Sequence, residues 1–142
     1  MAEFSLLLRS LFFDEEGSGE KMELTLSASL AEEKEGFFAV YEDAANGLAR
    51  TELFIKKGTP CVVKMKQPQT EVLFSVGKTY ETRYSVEGVG ELDFSVTTTR
   101  AEAALSGETG GRLALDYEAT LGGVRRRTVM TLIFSPKKEA RT

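Results

Sequence analysis

Residues 112–121 read RLALDYEATL. Leu113, Leu115, Tyr117, Ala119 and Leu121 alternate with Arg112, Ala114, Asp116, Glu118 and Thr120. Successive side chains of an extended chain point to opposite faces, so this alternation predicts a half-buried β-strand. The same period of two governs KMELTLSASL, where Met22, Leu24, Leu26, Ala28 and Leu30 share a face, and GELDFSVTTT, where Leu92, Phe94 and Val96 do. Less regular apolar runs predict strands over 4–13, 37–42, 49–56, 61–66, 71–74, 79–86 and 124–134. Gly-, Pro- and Asn-rich stretches such as EEGSGEK, DAANG, KKGTP, EGVG and SGETGG separate them as turns. The segment TRAEAAL, 99–105, reads either as one helical turn or as a continuation of the strand before it. No β-α-β alternation and no internal repeat is visible. The expected fold is all-β, an antiparallel meander of about eight to ten strands with little or no helix; closure into a barrel or a sandwich removes the exposed edges.

The chain has 142 residues, enough for one domain with a sizeable core. The expected organisation is a single β domain over 1–135 followed by a polar tail, SPKKEART, over 135–142, with the boundary at 136. A net charge of −4 opposes phosphate backbones, so no nucleic-acid partner is expected. The chain contains no histidine, which excludes Ser-His-Asp and Cys-His catalysis and His-ligated zinc. Its one cysteine, Cys61, lies in the apolar run CVVKM and reads as a small buried hydrophobe. No carboxylate or glycine spacing fits a calcium loop, a glycosidase pair or a phosphate loop, so no metal or cofactor is expected. The first residues, MAEFSLLLRSLFFDEE, lack a basic leader and a cleavage site, and no run approaches the roughly 20 apolar residues of a membrane span. A soluble, cytoplasmic protein without a membrane partner is the expectation.

Residues 123–134, GVRRRTVMTLIF, pose the functional question. Met130, Leu132 and Phe134 share one face and predict the interior. Counting back by two places Thr128 and Arg126 on that inner face, with Arg125 and Arg127 outside. The triplet is therefore split, and its three side chains form no single basic patch. Arg126 cannot shed its charge. Three resolutions remain open: it sits at the rim, it pairs with carbonyls or a loop carboxylate, or it meets an anionic ligand at the barrel mouth. Tyr80, Thr82, Tyr84 and Val86 share a face, and Tyr117 and Met65 are expected to point inward. These side chains either line a small-molecule site with Arg126 or fill a dry core. The candidate ligand-binding residues are Arg126, Tyr84, Tyr117, Met65 and Tyr80; no catalytic residue is assigned. The strand from Phe4 to Phe13 is apolar on both faces, with Leu7, Leu11 and Phe13 opposite Phe4, Leu6, Leu8 and Phe12. Two apolar faces call for two covers, and a homodimer contact is one.

The blocks GFFAVYED, KKGTPCVVKMKQ, GKTYETRYSVEGVGELDFSVTTT, RLALDYEATLGG and VMTLIF, taken in order, resemble the YwiB-like bacterial proteins, a family of unknown function with a calycin (lipocalin-like) β-barrel. The resemblance implies an antiparallel barrel of a small cytoplasmic protein. It brings no catalytic residue, ligand or cofactor. The arginines Arg125 to Arg127 depart from the family pattern. Three functions stay open: a binding module for a small apolar or amphipathic anion, a filled structural or adaptor protein acting through its outer surface, and a histidine-independent enzyme at the barrel mouth.

Overall fold

A computed structural model describes residues 2–68 and 70–137. Ten strands follow one another: β1 (Ala2–Phe13), β2 (Gly19–Glu32), β3 (Gly36–Asp43), β4 (Leu48–Lys56), β5 (Val62–Gln67), β6 (Thr70–Phe74), β7 (Thr79–Val86), β8 (Gly90–Ser106), β9 (Gly110–Leu121) and β10 (Val124–Pro136). A single 3-10 turn, Ala44–Asn46, joins β3 to β4, and Gly47 ends it at φ 75°, where a side chain would be strained. The segment 99–105 takes the second of its two readings and continues β8. Of the expected tail, Pro136 ends β10 and Lys137 pairs with Glu3 at 3.1 Å; residues 138–142 lie outside the described residues. No helix among the described residues is long and apolar enough to cross a membrane.

All strand pairs are antiparallel, in the order β6-β5-β4-β3-β2-β1-β10-β9-β8-β7. The first strand thus lies between β2 and the last, with Leu6 opposite both Leu26 and Phe134. The two ends of the sheet then meet. Val76, just after β6, bridges to Thr98 of β8, and the Cys61 amide donates to the Ala101 carbonyl at 3.2 Å. The result is a nearly closed all-β barrel, which fits the calycin-like expectation. A bulge in β8 between Thr98 and Arg100 turns the strand at this junction. Gly36 allows the β3–β4 approach, because a Cβ there would strike the Ile55 carbonyl.

The interior follows the period of two. Phe4, Leu6, Leu8, Leu30, Leu53, Ile55, Val63, Phe74, Leu113, Leu115, Leu132 and Phe134 are all buried. Burying each such side chain contributes about 1.5–3 kcal/mol against the cost of ordering the chain. The lumen is filled at its waist, where Phe74 and Tyr117 pack with ring centroids 4.8 Å apart. Cys61 is buried as expected, at 1% exposure. Desolvation raises its thiol pKa, which makes it a poor nucleophile.

Candidate functional site

The barrel opens at one end because its strands differ in reach. β3 pairs with β2 only over residues 28–32 of the latter, so residues 19–27 of β2 project past it. On the other side β7 has a ladder with β8 alone. The wall made by β2, β1, β10, β9, β8 and β7 therefore overhangs β3–β6. Inner side chains on the overhang are half-buried: Met22, Leu24, Met130, Tyr117, Ala119, Phe94 and Tyr80 all pack on the core and keep a share of solvent. Together they make a half-buried apolar wall at the open end, above the packed core.

Arg126 stands on its rim. Thr128, Leu132 and Phe134 are buried on the same inner phase, as the count by two requires. Arg126 itself is exposed, and its guanidinium carbon sits 4.3 Å from the centroid of the Phe12 ring. Stacking on an aromatic face holds a guanidinium while leaving its N–H donors free. The flanking arginines are spoken for on the outer face. Arg127 makes a two-pronged contact with Asp116, at 3.0 and 2.6 Å, and Arg125 lies 3.3 Å from Glu118. Among the described residues no carboxylate comes within ion-pair distance of Arg126. The rim is thus the resolution the fold adopts for an inward-phase arginine.

The other candidates divide. Tyr80, Val96, Ala119 and Arg126 form one crosswise row over four strands. At a strand spacing of about 4.8 Å, Tyr80 and Arg126 are separated by about 14 Å along the curve of the wall. Tyr84 lies farther out on β7, with its ring 6.2 Å from that of Phe94. Tyr117 is one register step inward from Arg126, opposite Thr128 and Thr98. Burial raises the Tyr117 phenol pKa, partly offset by a hydrogen bond with Thr128 and by the positive charge of Arg126. Met65 does not join these four: it belongs to β5 in the opposite wall, between Leu53 and Val72.

Three residues of the site escaped the sequence reading. Phe12, the platform for Arg126, is signalled only by its inner phase on β1. It becomes a neighbour of Arg126 through the pairing of Phe12 with Thr128. Ser10 and Thr98 are buried beneath the mouth, and neither side-chain oxygen has a hydrogen-bond partner. Nothing in an alternating strand distinguishes a buried hydroxyl with a partner from one without. Among the described residues no cluster of three or more metal-ligating side chains occurs.

The crystal structure of the YwiB protein from Bacillus subtilis superposes on this fold with a TM-score of 0.72, covering 96% of this chain and 93% of that one at 18% sequence identity. That similarity is one of fold. No curated protein matches the chain. A family model described as a domain of unknown function, DUF1934, matches residues 8–139, a span that runs from the inner face of β1 past the end of β10. With the whole strand order from Leu8 onward contained in that match, the chain belongs to the DUF1934 family.

Proposed function

We propose that the protein is a non-enzymatic binding module whose open mouth takes a small amphipathic anion, with Arg126 at the charged end. The observation that carries this is the state of Arg126: exposed, stacked on Phe12, and without a carboxylate partner among the described residues, above a half-buried apolar wall. A guanidinium fork suits a carboxylate or phosphate head, and Tyr80, Tyr84 and Phe94 supply the face for an apolar tail. Tyr117 forms the floor, and Met65 is reached only by a tail that crosses to the far wall. Because the lumen is filled, the ligand lies across the mouth and not along the axis. The cytoplasm is the compartment that goes with this reading.

Titration calorimetry with decanoate, decyl phosphate and decanol tests it. Both anions are expected to bind more tightly than the alcohol. Arg126→Ala should weaken the anions at least tenfold and leave the alcohol unchanged. Equal affinity of the variant for the anions removes the role of Arg126, and absence of heat with all three in the unmutated protein removes the site.

A second reading rests on the outer face of β1. Leu7 and Leu11 face outward opposite Ile133 and Val129, and Leu11 is 37% exposed. Leu7 is half-buried, and a second copy of the chain laid across this strand would cover what both leave exposed. Sedimentation of the unmutated protein decides: a dimer that Leu7→Glu and Leu11→Glu dissociate supports it, and a monomer ends it.

A further inference from the structure

We propose that residues 102–105 of β8 form a docking edge for an extended acidic peptide, which adds as a short strand in the seam of the barrel. This site is separate from the mouth and independent of its ligand. β7 pairs with β8 only as far as Thr97, so the second half of β8 has a ladder with β9 alone. Two ties close the seam on either side of this stretch. Above it the Cys61 amide donates to the Ala101 carbonyl. Below it Glu32 accepts from the Gly107 amide at 2.9 Å and pairs with Lys57 at 3.0 Å.

Between the ties the edge is free. The N–H and C=O of one residue in an antiparallel strand point the same way, and alternate residues point oppositely. The Ala101 carbonyl faces the seam, so the backbone groups of Ala103 and Leu105 do too. Among the described residues they have no backbone partner there. At Ala103 the edge opens onto a groove of about 380 Å³ whose walls include Gly58, Thr59 and Pro60 on one side and Ala103 and Ala104 on the other. Small side chains let a backbone approach closely. The loop at 58–60 lines the groove opposite the edge, so the proposed occupant is a single extended chain and not the broad sheet edge of a second barrel.

Charge selects the peptide. Arg100 is paired with Glu102 at 2.8 Å, whereas Arg112, also lining the groove, has no carboxylate within ion-pair distance among the described residues. Two arginines against one glutamate leave a net positive groove. Added strands gain affinity from main-chain hydrogen bonds and specificity from alternate side chains; an acidic side chain facing Arg112 supplies the second.

Amide hydrogen exchange of the full chain tests this. The probe is a set of capped pentapeptides with a central Glu flanked by Val, Ile, Thr or Ala, at millimolar concentration, beside the same set with a central Lys. In the free protein the Ala103 and Leu105 amides should exchange fast while those of Leu113 and Leu132 stay protected. The Glu set should slow Ala103 and Leu105 at least tenfold, the Lys set should not, and Ala104→Arg or Arg112→Glu should abolish the slowing while Leu132 remains protected. Amides already protected in the free protein, no slowing by the Glu set, or equal slowing by both sets overturns the proposal.

Discussion

Thr98→Val is expected to make the protein more stable. Thr98 sits where the two ends of the sheet meet, 1% exposed and on the inner face. Its backbone is satisfied: its N–H donates to the Lys78 carbonyl at 3.4 Å and its C=O accepts from the Gly77 amide at 3.0 Å. Only the side-chain hydroxyl is left without a partner. A buried polar group with no hydrogen bond costs about 1–3 kcal/mol. Valine keeps the branched shape and the strand preference while replacing that hydroxyl with a methyl group. The expected gain is about 1–2 kcal/mol, at the low end of the range because the hydroxyl of an unfolded chain is itself solvated. For a domain of this size that raises Tm by ~3–7 °C. Urea unfolding should show the gain as a higher midpoint at unchanged slope, since neither variant exposes more surface. Ser10→Ala should shift stability in the same direction by less, because removing Oγ also leaves a small void. A loss of about 1 kcal/mol or more on Thr98→Val would refute the reasoning, since it would mean that the hydroxyl is bonded in solution, for instance to a buried water.

Leu132→Ala should cost about 2–5 kcal/mol in the same assay, because Leu132 is fully buried between β1 and β9 and the closed wall leaves little room to relax. The Glu32 clasp predicts a pH dependence. The Gly107 amide first, then Lys57, hold the Glu32 carboxyl below its ordinary pKa of 4.5. A carboxylate depressed in the fold stabilises above its unfolded pKa and loses that contribution as pH falls through the folded value. Stability measured from about pH 3 to pH 6 should therefore rise with pH less steeply in Glu32→Gln than in the unmutated protein; parallel profiles would dissociate the clasp from stability. Cys61 should resist a thiol reagent at mildly alkaline pH until the protein unfolds, since burial both shields the thiol and raises its pKa. Labelling of the native protein at the rate of a free thiol would contradict that placement.

Much of the fold is local enough to read from the chain. In RLALDYEATL and TVMTLIF the alternation marks the inner face residue by residue, and Leu113, Leu115, Leu132 and Phe134 are buried on it. The same count carried Arg126 to the inner phase and Arg125 and Arg127 outward. The pattern on β7 likewise put Tyr80 and Tyr84 together. All these inferences need only the geometry of one strand, in which a side chain's face follows from parity. Where parity was ambiguous, the reading was too: 99–105 fitted a helical turn because AEAAL lacks a strong alternation, and it is the pairing with β9 that holds it extended.

Other features depend on which strands meet, and alternation carries no such information. That β1 lies beside β10 places Phe12 next to the row of Arg126, and so turns a costly inward arginine into a stacked rim residue. That β7 stops at Thr97 of β8 while Cys61 and Val76 reach across from the other end of the sheet creates both the unpartnered Thr98 hydroxyl and the free edge at Ala103. Met65, read inward correctly, falls on the wall opposite the tyrosines for the same reason. Parity is a property of the covalent chain and is settled strand by strand. Strand order, register and the place where the barrel closes are settled by contacts between distant residues, whose gain in burial and hydrogen bonding must exceed the entropy of closing the intervening loops.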